Sequence, residues 1–212
     1  MTDYNYAARL LARRDPVMRE IIQRVGRCRL AEVQRADPFA SIVESIVWQQ
    51  LSWKAATTIF MRVRALLPDG AITPETLTAM DDDRLRSAGL SRPKIAYLRD
   101  LCAKVQDGTL PIGALVSLSD EEVIAAMTAV KGIGRWSAEM FLIFRLQRPD
   151  VLPVGDLAIA TAIKRAYRLR RVPDAKKMQR IGAAWRPYRS VACWYLWATN
   201  GDSKTQNAER KT

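Results

Sequence analysis

The 212-residue chain contains no histidine, and this absence narrows the chemistry open to it. Histidine is the commonest general base near neutral pH and the commonest metal ligand. Any catalysis must therefore depend on carboxylates, lysines, thiols or tyrosines. Cysteine is also scarce: Cys28, Cys102 and Cys193 are too few and too far apart for a disulfide framework, a zinc site or a four-cysteine cluster.

Long apolar runs and alternating strand patterns are missing as well. No apolar stretch approaches the roughly 20 residues that a membrane-spanning helix needs. The N-terminal segment carries charges throughout its apolar part and lacks a small-residue cleavage site, unlike a secretory signal. Apolar residues nevertheless make up 49% of the chain, enough to build a packed core.

Negative charge is scarce only in the C-terminal part. The whole chain has 34 Lys and Arg residues against 22 Asp and Glu residues, a net charge of +12. Residues 1–130 hold 17 basic and 16 acidic side chains, whereas residues 131–212 hold 17 and 6. A lobe with one sign of charge attracts a polyanion and raises its association rate. The charge therefore favours nucleic acid as a partner, with a basic surface that only aids solubility as the alternative.

What the sequence does contain is a series of helix-start and helix-stop signals. Asp37-Pro38 places a capping carboxylate before a proline in the first turn, and Ser119 with Glu122 forms a capping box. Further helices are predicted over residues 55–67, 74–80, 81–88, 92–106, 135–146 and 185–199, and from Leu157 and Pro173 onward. An all-α fold follows, ending in a polar tail, residues 203–212, that we expect to be disordered.

Gly132-Ile133-Gly134 lies between two of the predicted helices. Each glycine can take a positive φ and lets the backbone approach a ligand closely. The next helix begins here, and its N–H groups and dipole favour a phosphate, to which Arg135 and Ser137 would add contacts. Most short glycine pairs between helices are only tight turns, so the pattern alone leaves both interpretations open.

Asp156 precedes the predicted helix that starts at Leu157. Aspartate is a good N-cap, and the residue type alone favours this structural role. A catalytic role is compatible with it, because a carboxylate at a helix N-terminus can meet a developing positive charge.

The segments VKGIGRWSA at 130–138 and PVGD at 153–156 together resemble the helix-hairpin-helix DNA glycosylase superfamily. Within it the chain is similar to the AlkA/Mag branch, the 3-methyladenine DNA glycosylases II. Further matching segments are VWQQLS at 47–52 with KAA at 54–56, GLS at 89–91 with Lys94, and WRPYRS at 185–190. The resemblance covers residues 37–200. It implies a single HhH-GPD unit with a DNA-binding cleft between two helical lobes, one of residues 37–115 and one of the N-terminal segment with residues 116–200.

The resemblance implies that Asp156 is the catalytic carboxylate of a monofunctional glycosylase in base excision repair. Such an enzyme flips out and excises N-methylated, cationic bases such as 3-methyladenine and 7-methylguanine and leaves an abasic site. Bifunctional relatives carry a nucleophilic lysine where this chain has Trp136, so no lyase activity is expected. Cationic bases need little protonation to leave, which fits a chain without histidine. Whether Asp156 acts only electrostatically or also as a base stays open.

The resemblance also implies how DNA is held. The residues expected to line an aromatic base pocket are Trp136, Tyr188, Trp48, Trp185 and Met140. For any single tryptophan, packing in the core is at least as common a role. The wedge that fills the gap left by the flipped base falls on Gln50, with Leu51 as the neighbouring alternative. The expected DNA contacts are Gln50, Leu51, Ser52, Lys54, Gly132, Gly134, Arg135 and Ser137.

The remaining expectations concern ions and partners. The main-chain carbonyls of Thr128, Val130 and Ile133 match a monovalent cation site, Na⁺ or K⁺, in the family; no cofactor is required and no iron–sulfur cluster is expected. The partner is double-stranded DNA with alkylated bases, bound by a monomer that does not associate with membranes and that is intracellular, either cytoplasmic or nucleoid-associated (nuclear in a eukaryote). The basic residues of 164–171 either flank the DNA or form a solvated face.

Three other functions stay open at this stage. The chain would be a non-catalytic helix-hairpin-helix module if it bound DNA without releasing bases. A glycosylase for mismatched or oxidised bases would need stronger acid assistance, because those leaving groups are neutral. A helical protein that binds acidic partner proteins would show no preference for duplex DNA.

Overall fold

The structure, a computed structural model, describes residues 2–32 and 37–200, and these residues form helices and turns without a β-strand among them. The predicted all-α fold is confirmed, whereas the predicted disordered tail, residues 203–212, lies outside the described residues. The α-helices are α1 (Tyr4–Arg14), α2 (Pro16–Val25), α3 (Pro38–Trp48), α4 (Trp53–Ala65), α5 (Pro74–Ala79), α6 (Asp82–Ser87), α7 (Arg92–Gln106), α8 (Asp120–Thr128), α9 (Arg135–Phe144), α10 (Leu157–Ala166), α11 (Ala175–Gly182) and α12 (Arg189–Asn200).

The chain divides into two compact units. The terminal unit contains residues 1–34 and 142–212, and the central unit contains residues 35–141. The sequence led us to expect residues 116–141 in the same lobe as the N-terminal segment, but they group with residues 37–115. One contact that joins this segment to the central unit is the hydrogen bond that the main-chain N–H of Lys131 donates to Asp100 Oδ2 of α7 at 2.8 Å.

The central unit forms where the sequence places its caps and its apolar face. Asp37 accepts from the Ala40 N–H at 2.8 Å and starts α3. The apolar residues of α3 are buried, namely Phe39, Ile42, Val43, Ile46 and Val47. Helix α3 packs against α4 and α7. The capping box that opens α8 is present, with Glu122 Oε2 accepting from the Ser119 N–H at 2.7 Å.

The terminal unit is held together by a buried carboxylate, Asp15. Its Oδ1 accepts from the N–H groups of Val17 and Met18 at 2.9 and 3.2 Å and caps α2. Its Oδ2 accepts from the Tyr167 hydroxyl and, at 2.9 Å, from the Trp185 indole N–H. Burial and the hydrogen bond to Asp15 raise the pKa of Tyr167 well above its ordinary value. Asp15 therefore ties three segments of this unit, distant in sequence, to one another.

None of the described helices has the length and apolar character that crossing a membrane requires. Helices α1 and α2 pack against each other, and both α2 and α10 pack against α12.

Candidate functional site

The two glycines of the hairpin, residues 131–134, have different conformations and surroundings. Gly132 has φ +79°, and a Cβ atom there would overlap the ring of Tyr97. Gly134 does not have a positive φ, and a Cβ atom there would meet nothing within 4 Å. Gly132 is therefore required by the fold itself. Gly134 instead leaves open space at the start of α9, where the helix cannot be capped by the side chain of the preceding residue.

The hairpin is also joined to the loop that contains Gln50 and Leu51, the two predicted wedge candidates. Gln49 Nε2 donates to the Gly132 carbonyl oxygen at 2.8 Å. Lys94 Nζ of α7 donates to the carbonyl oxygens of Val47 and Gln49 at 2.6 and 2.9 Å. Burial lowers the pKa of the Lys94 ammonium group. Sequence reasoning noted Lys94 and Gln49 only as parts of matching segments, because such contacts leave no periodic signal.

Arg135, which is predicted to contact a phosphate, is bonded to two acidic side chains. Its NH1 and NH2 groups donate to the two carboxylate oxygens of Glu121 at 3.0 and 2.6 Å, and its Nε donates to Glu139 at 3.1 Å. The pKa of Arg135 is raised and that of Glu121 is lowered by their shared hydrogen bonds. Two carboxylates thus bond to the guanidinium, while the Arg135 side chain stays 55% exposed, so its contact with a phosphate stays a prediction. Ser137 is half-buried.

The insertion loop, residues 49–52, presents both wedge candidates. Gln50 is exposed and has φ +57°, an uncommon conformation for a residue with a side chain. Leu51 is 39% exposed. Ser52 caps α4 by accepting from the Ala55 N–H at 3.4 Å, and Lys54 is exposed.

Three tryptophans of the central unit differ in exposure. Trp48 is half-buried, and its Nε1 has no hydrogen-bond partner among the described residues. It meets Trp53 edge to face, with ring centroids 6.0 Å apart. Trp53 is 69% exposed, and sequence reasoning missed it because residue type does not reveal exposure. Trp136, at the start of α9, is 51% exposed.

Asp156 is buried and caps α10. Its Oδ1 accepts from the Ile159 N–H at 2.8 Å. The residues on either side, Gly155 and Leu157, are exposed. The carboxylate therefore lies recessed at a point where the chain reaches the surface, and the capping role anticipated from the sequence is present.

The other residues expected to line the base pocket differ in how far their side chains are exposed. Trp185 is completely buried, and its indole N–H is used by Asp15. No part of its ring is open to a base, so we do not retain it as a stacking residue. Tyr188 is half-buried and packs edge to face with Tyr6, with centroids 6.2 Å apart. Met140 is half-buried.

The expected cation ligands follow one another around a turn. Thr128 is the last residue of α8, and the Val130 carbonyl accepts from the Ile133 N–H at 3.1 Å. Carbonyl oxygens near the negative end of a helix dipole are the hard ligands that suit Na⁺ or K⁺. Among the described residues, no cluster of Cys, Asp and Glu side chains fits a metal ion.

Known proteins match the chain in both sequence and structure. The family model of the HhH-GPD superfamily base excision DNA repair proteins matches residues 43–187. DNA-3-methyladenine glycosylase 1 of Schizosaccharomyces pombe is 34% identical over 88% of this chain and 83% of its own length.

Two solved structures share the fold over nearly the whole chain. One, the S. pombe 3-methyladenine DNA glycosylase in complex with abasic DNA, has a TM-score of 0.79 and 33% identity, covering 92% of this chain and 96% of that one. The other, a DNA-3-methyladenine glycosidase of Bacillus halodurans, has a TM-score of 0.74 and 40% identity, covering 89% and 90%. The chain belongs to the HhH-GPD superfamily of base excision DNA repair proteins, and within it to the AlkA/Mag type.

Proposed function

We propose that the protein is a DNA-3-methyladenine glycosylase that acts on DNA inside the cell. It flips alkylated, cationic bases out of duplex DNA, hydrolyses the N-glycosidic bond and leaves an abasic site. Its relatives carry the name of this activity, and one of them has been solved with abasic DNA. The single observation that carries the proposal is the recessed carboxylate of Asp156 in the PVGD segment, held at the N-terminus of α10.

The chemistry follows from the charge of the reacting groups. Breaking the N-glycosidic bond builds positive charge on the sugar. The Ile159 N–H holds the Asp156 carboxylate at the N-terminus of α10, and the negative charge of this carboxylate stabilises the sugar cation. A base methylated on a ring nitrogen is already cationic and can leave without protonation by a general acid. The absence of histidine from the chain is compatible with this chemistry.

The remaining site residues hold the DNA and the flipped base. The exposed ring of Trp136 and the half-buried rings of Trp48 and Tyr188 supply stacking and cation–π surface for a cationic base. Gln50 or Leu51 fills the gap in the duplex, beside Ser52 and Lys54. The amides that follow Gly134, together with Ser137, hold a phosphate, and the Thr128, Val130 and Ile133 carbonyls bind a monovalent cation that stabilises the turn. Trp136 stands where bifunctional relatives have a nucleophilic lysine, so the enzyme is monofunctional. We expect it to act as a monomer.

The test is base release from methylated duplex DNA, identified by chromatography, for wild type and Asp156→Asn. Asparagine still caps α10 but carries no charge, so we expect the single-turnover release rate to fall at least about 100-fold. Affinity for DNA containing a stable abasic analogue should change by less than about threefold. Asp174 is the matched control, because it caps α11 by accepting from the Lys177 N–H at 2.7 Å, and Asp174→Asn should release bases at the wild-type rate.

Each alternative function predicts a different result in this assay. A non-catalytic DNA-binding module releases no base in the wild type. A glycosylase for oxidised or mismatched bases releases those bases and leaves the methylated ones in place. Strand cleavage after release, or a borohydride-trapped covalent complex, would contradict the monofunctional assignment. Equal rates for Asp156→Asn and wild type would overturn the proposed role of the carboxylate.

A further inference from the structure

Helix α7 contacts two segments to which the proposed function gives separate tasks. Lys94, Tyr97 and Asp100 are three residues apart and therefore lie on one side of the helix. Lys94 bonds to the carbonyl oxygens of Val47 and Gln49, the latter in the insertion loop. Tyr97 lies against Gly132, and Asp100 accepts from the Lys131 N–H, so these two residues hold the hairpin. One helix face thus sets the positions of both segments.

The Lys94 ammonium group secures the end of α3. This helix ends at Trp48, and the carbonyl groups of its last turn have no partners within the helix. Lys94 Nζ lies 2.6 Å from the Val47 oxygen and 2.9 Å from the Gln49 oxygen, so a positive charge sits at the negative end of the helix dipole. The backbone that enters the insertion loop is therefore fixed up to Gln49.

Gln49 then connects the insertion loop directly to the hairpin. Its side-chain amide donates to the Gly132 carbonyl oxygen at 2.8 Å. The next residue, Gln50, has φ +57°, and both Gln50 and Leu51 are exposed. The wedge candidates therefore begin immediately after a residue that is bonded to α7 through its main chain and to the hairpin through its side chain.

We propose that Gln49 and Lys94 are positioning residues that fix the insertion loop at a set distance from the phosphate-binding hairpin. The inference rests on the proposed function, because it assigns the two segments to the wedge and to the phosphate. Insertion into the duplex is productive only when the wedge enters one step while the hairpin holds the corresponding phosphate. If the insertion loop is loosened, the protein keeps its phosphate contacts, which do not distinguish damaged from undamaged DNA. It loses the contacts that depend on the gap in the duplex.

The experiment compares binding to two duplexes of the same sequence, one undamaged and one with a tetrahydrofuran abasic analogue. The variants are Gln49→Ala, which removes the bond to Gly132, and Lys94→Met, which keeps the apolar chain and removes the donors. The matched controls are Lys104→Met and Gln106→Ala on the same helix, with Lys104 about 15 Å along the axis from Lys94. None of these four residues is placed in the catalytic or DNA-contacting set.

We expect each test variant to bind the abasic duplex about tenfold more weakly and the undamaged duplex within twofold of wild type, since hydrogen bonds of this kind are worth about that factor. A 2-aminopurine placed opposite the abasic analogue should brighten less on binding the variants, because the wedge unstacks it less. Both controls should keep the wild-type preference. A merely structural role would lower both affinities together, and that result, like an unchanged preference, would overturn the inference.

Control measurements separate the DNA-binding preference from effects on folding and on catalysis. Thermal unfolding is recorded for every variant. If Lys94→Met fails to fold, Gln49→Ala decides the question. This substitution removes one hydrogen bond of a half-buried side chain and should leave the fold intact. The abasic analogue has no base to release, so binding is measured without reference to catalysis. An unchanged preference with base release still abolished in Asp156→Asn defeats the positioning role alone. Retained release in Asp156→Asn defeats the catalytic proposal alone.

Discussion

Asp15 and Asp156 are two buried aspartates that cap helices in different surroundings. Both are buried, and both accept a hydrogen bond from an N–H group at the start of a helix. The second oxygen of Asp15 is bonded to Tyr167 and Trp185, whose positions it therefore fixes. Asp156 has exposed neighbours on both sides along the chain, Gly155 and Leu157. The surroundings, and not the cap, distinguish a structural carboxylate from a candidate catalytic one.

The Asp15 network should contribute measurably to stability. In Asp15→Asn the amide oxygen can still cap α2, but the amide nitrogen would face the Trp185 N–H, and two donors cannot bond. Leaving a buried donor unpaired costs about 2–3 kcal/mol in the free energy of unfolding, measured by urea titration. Asp3 caps α1 by accepting from the Tyr6 N–H at 2.9 Å in an exposed position, so Asp3→Asn should cost under about 0.5 kcal/mol. Equal losses in both variants would show that the network adds nothing to the cap.

Arg135 and Trp185 both have partners that could not be predicted from the sequence, and for the same physical reason. Arg135 was expected at a phosphate, but its guanidinium is occupied by Glu121, which lies on a different helix. Trp185 was expected at a base, but its indole is buried against Asp15. Sequence shows the side chain and its neighbours along the chain, whereas the partner that decides its role comes from elsewhere in the fold.

At the scale of helices, cap signals located most of the helices after residue 37, but not the first two. The predicted helix over residues 92–106 matches α7, Arg92–Gln106. The helix predicted over 55–67 begins two residues earlier, at Trp53, because Ser52 and not a later residue caps it. The first two helices were not predicted, although Asp15-Pro16 repeats the signal of Asp37-Pro38. Caps could thus be predicted locally, whereas the assignment of the hairpin to the central unit depends on contacts with α7.

The two hairpin glycines should respond differently to substitution. In Gly132→Ala a methyl group at positive φ would meet the Tyr97 ring, so we expect the protein to lose about 2–4 kcal/mol of stability. In Gly134→Ala the methyl group meets nothing within 4 Å, so stability should stay within about 1 kcal/mol of wild type. That methyl group would instead obstruct a phosphate at the start of α9, and affinity for abasic-analogue DNA should fall several-fold. Full DNA affinity in Gly134→Ala would place the phosphate elsewhere.

At the scale of the whole molecule, charge follows the division into units. The terminal unit, residues 1–34 and 142–212, holds 22 basic and 9 acidic side chains, and the central unit, residues 35–141, holds 12 and 13. The net charges are therefore +13 and −1. Since residues 49–52 and the hairpin belong to the nearly neutral central unit, we expect the long-range attraction of DNA to arise mainly from the terminal unit.

This asymmetry makes a prediction about salt. Arg170 and Arg171 are exposed in the terminal unit, as are Arg84 and Arg86 in the central unit. Each phosphate contact contributes about one to the slope of log affinity against log salt concentration. Replacing Arg170 and Arg171 together by Gln should flatten this slope by about two, whereas replacing Arg84 and Arg86 should leave it unchanged. The measurement is a salt titration of binding to undamaged duplex. The opposite pattern would place the DNA-flanking surface on the central unit and leave residues 164–171 as a solvated face.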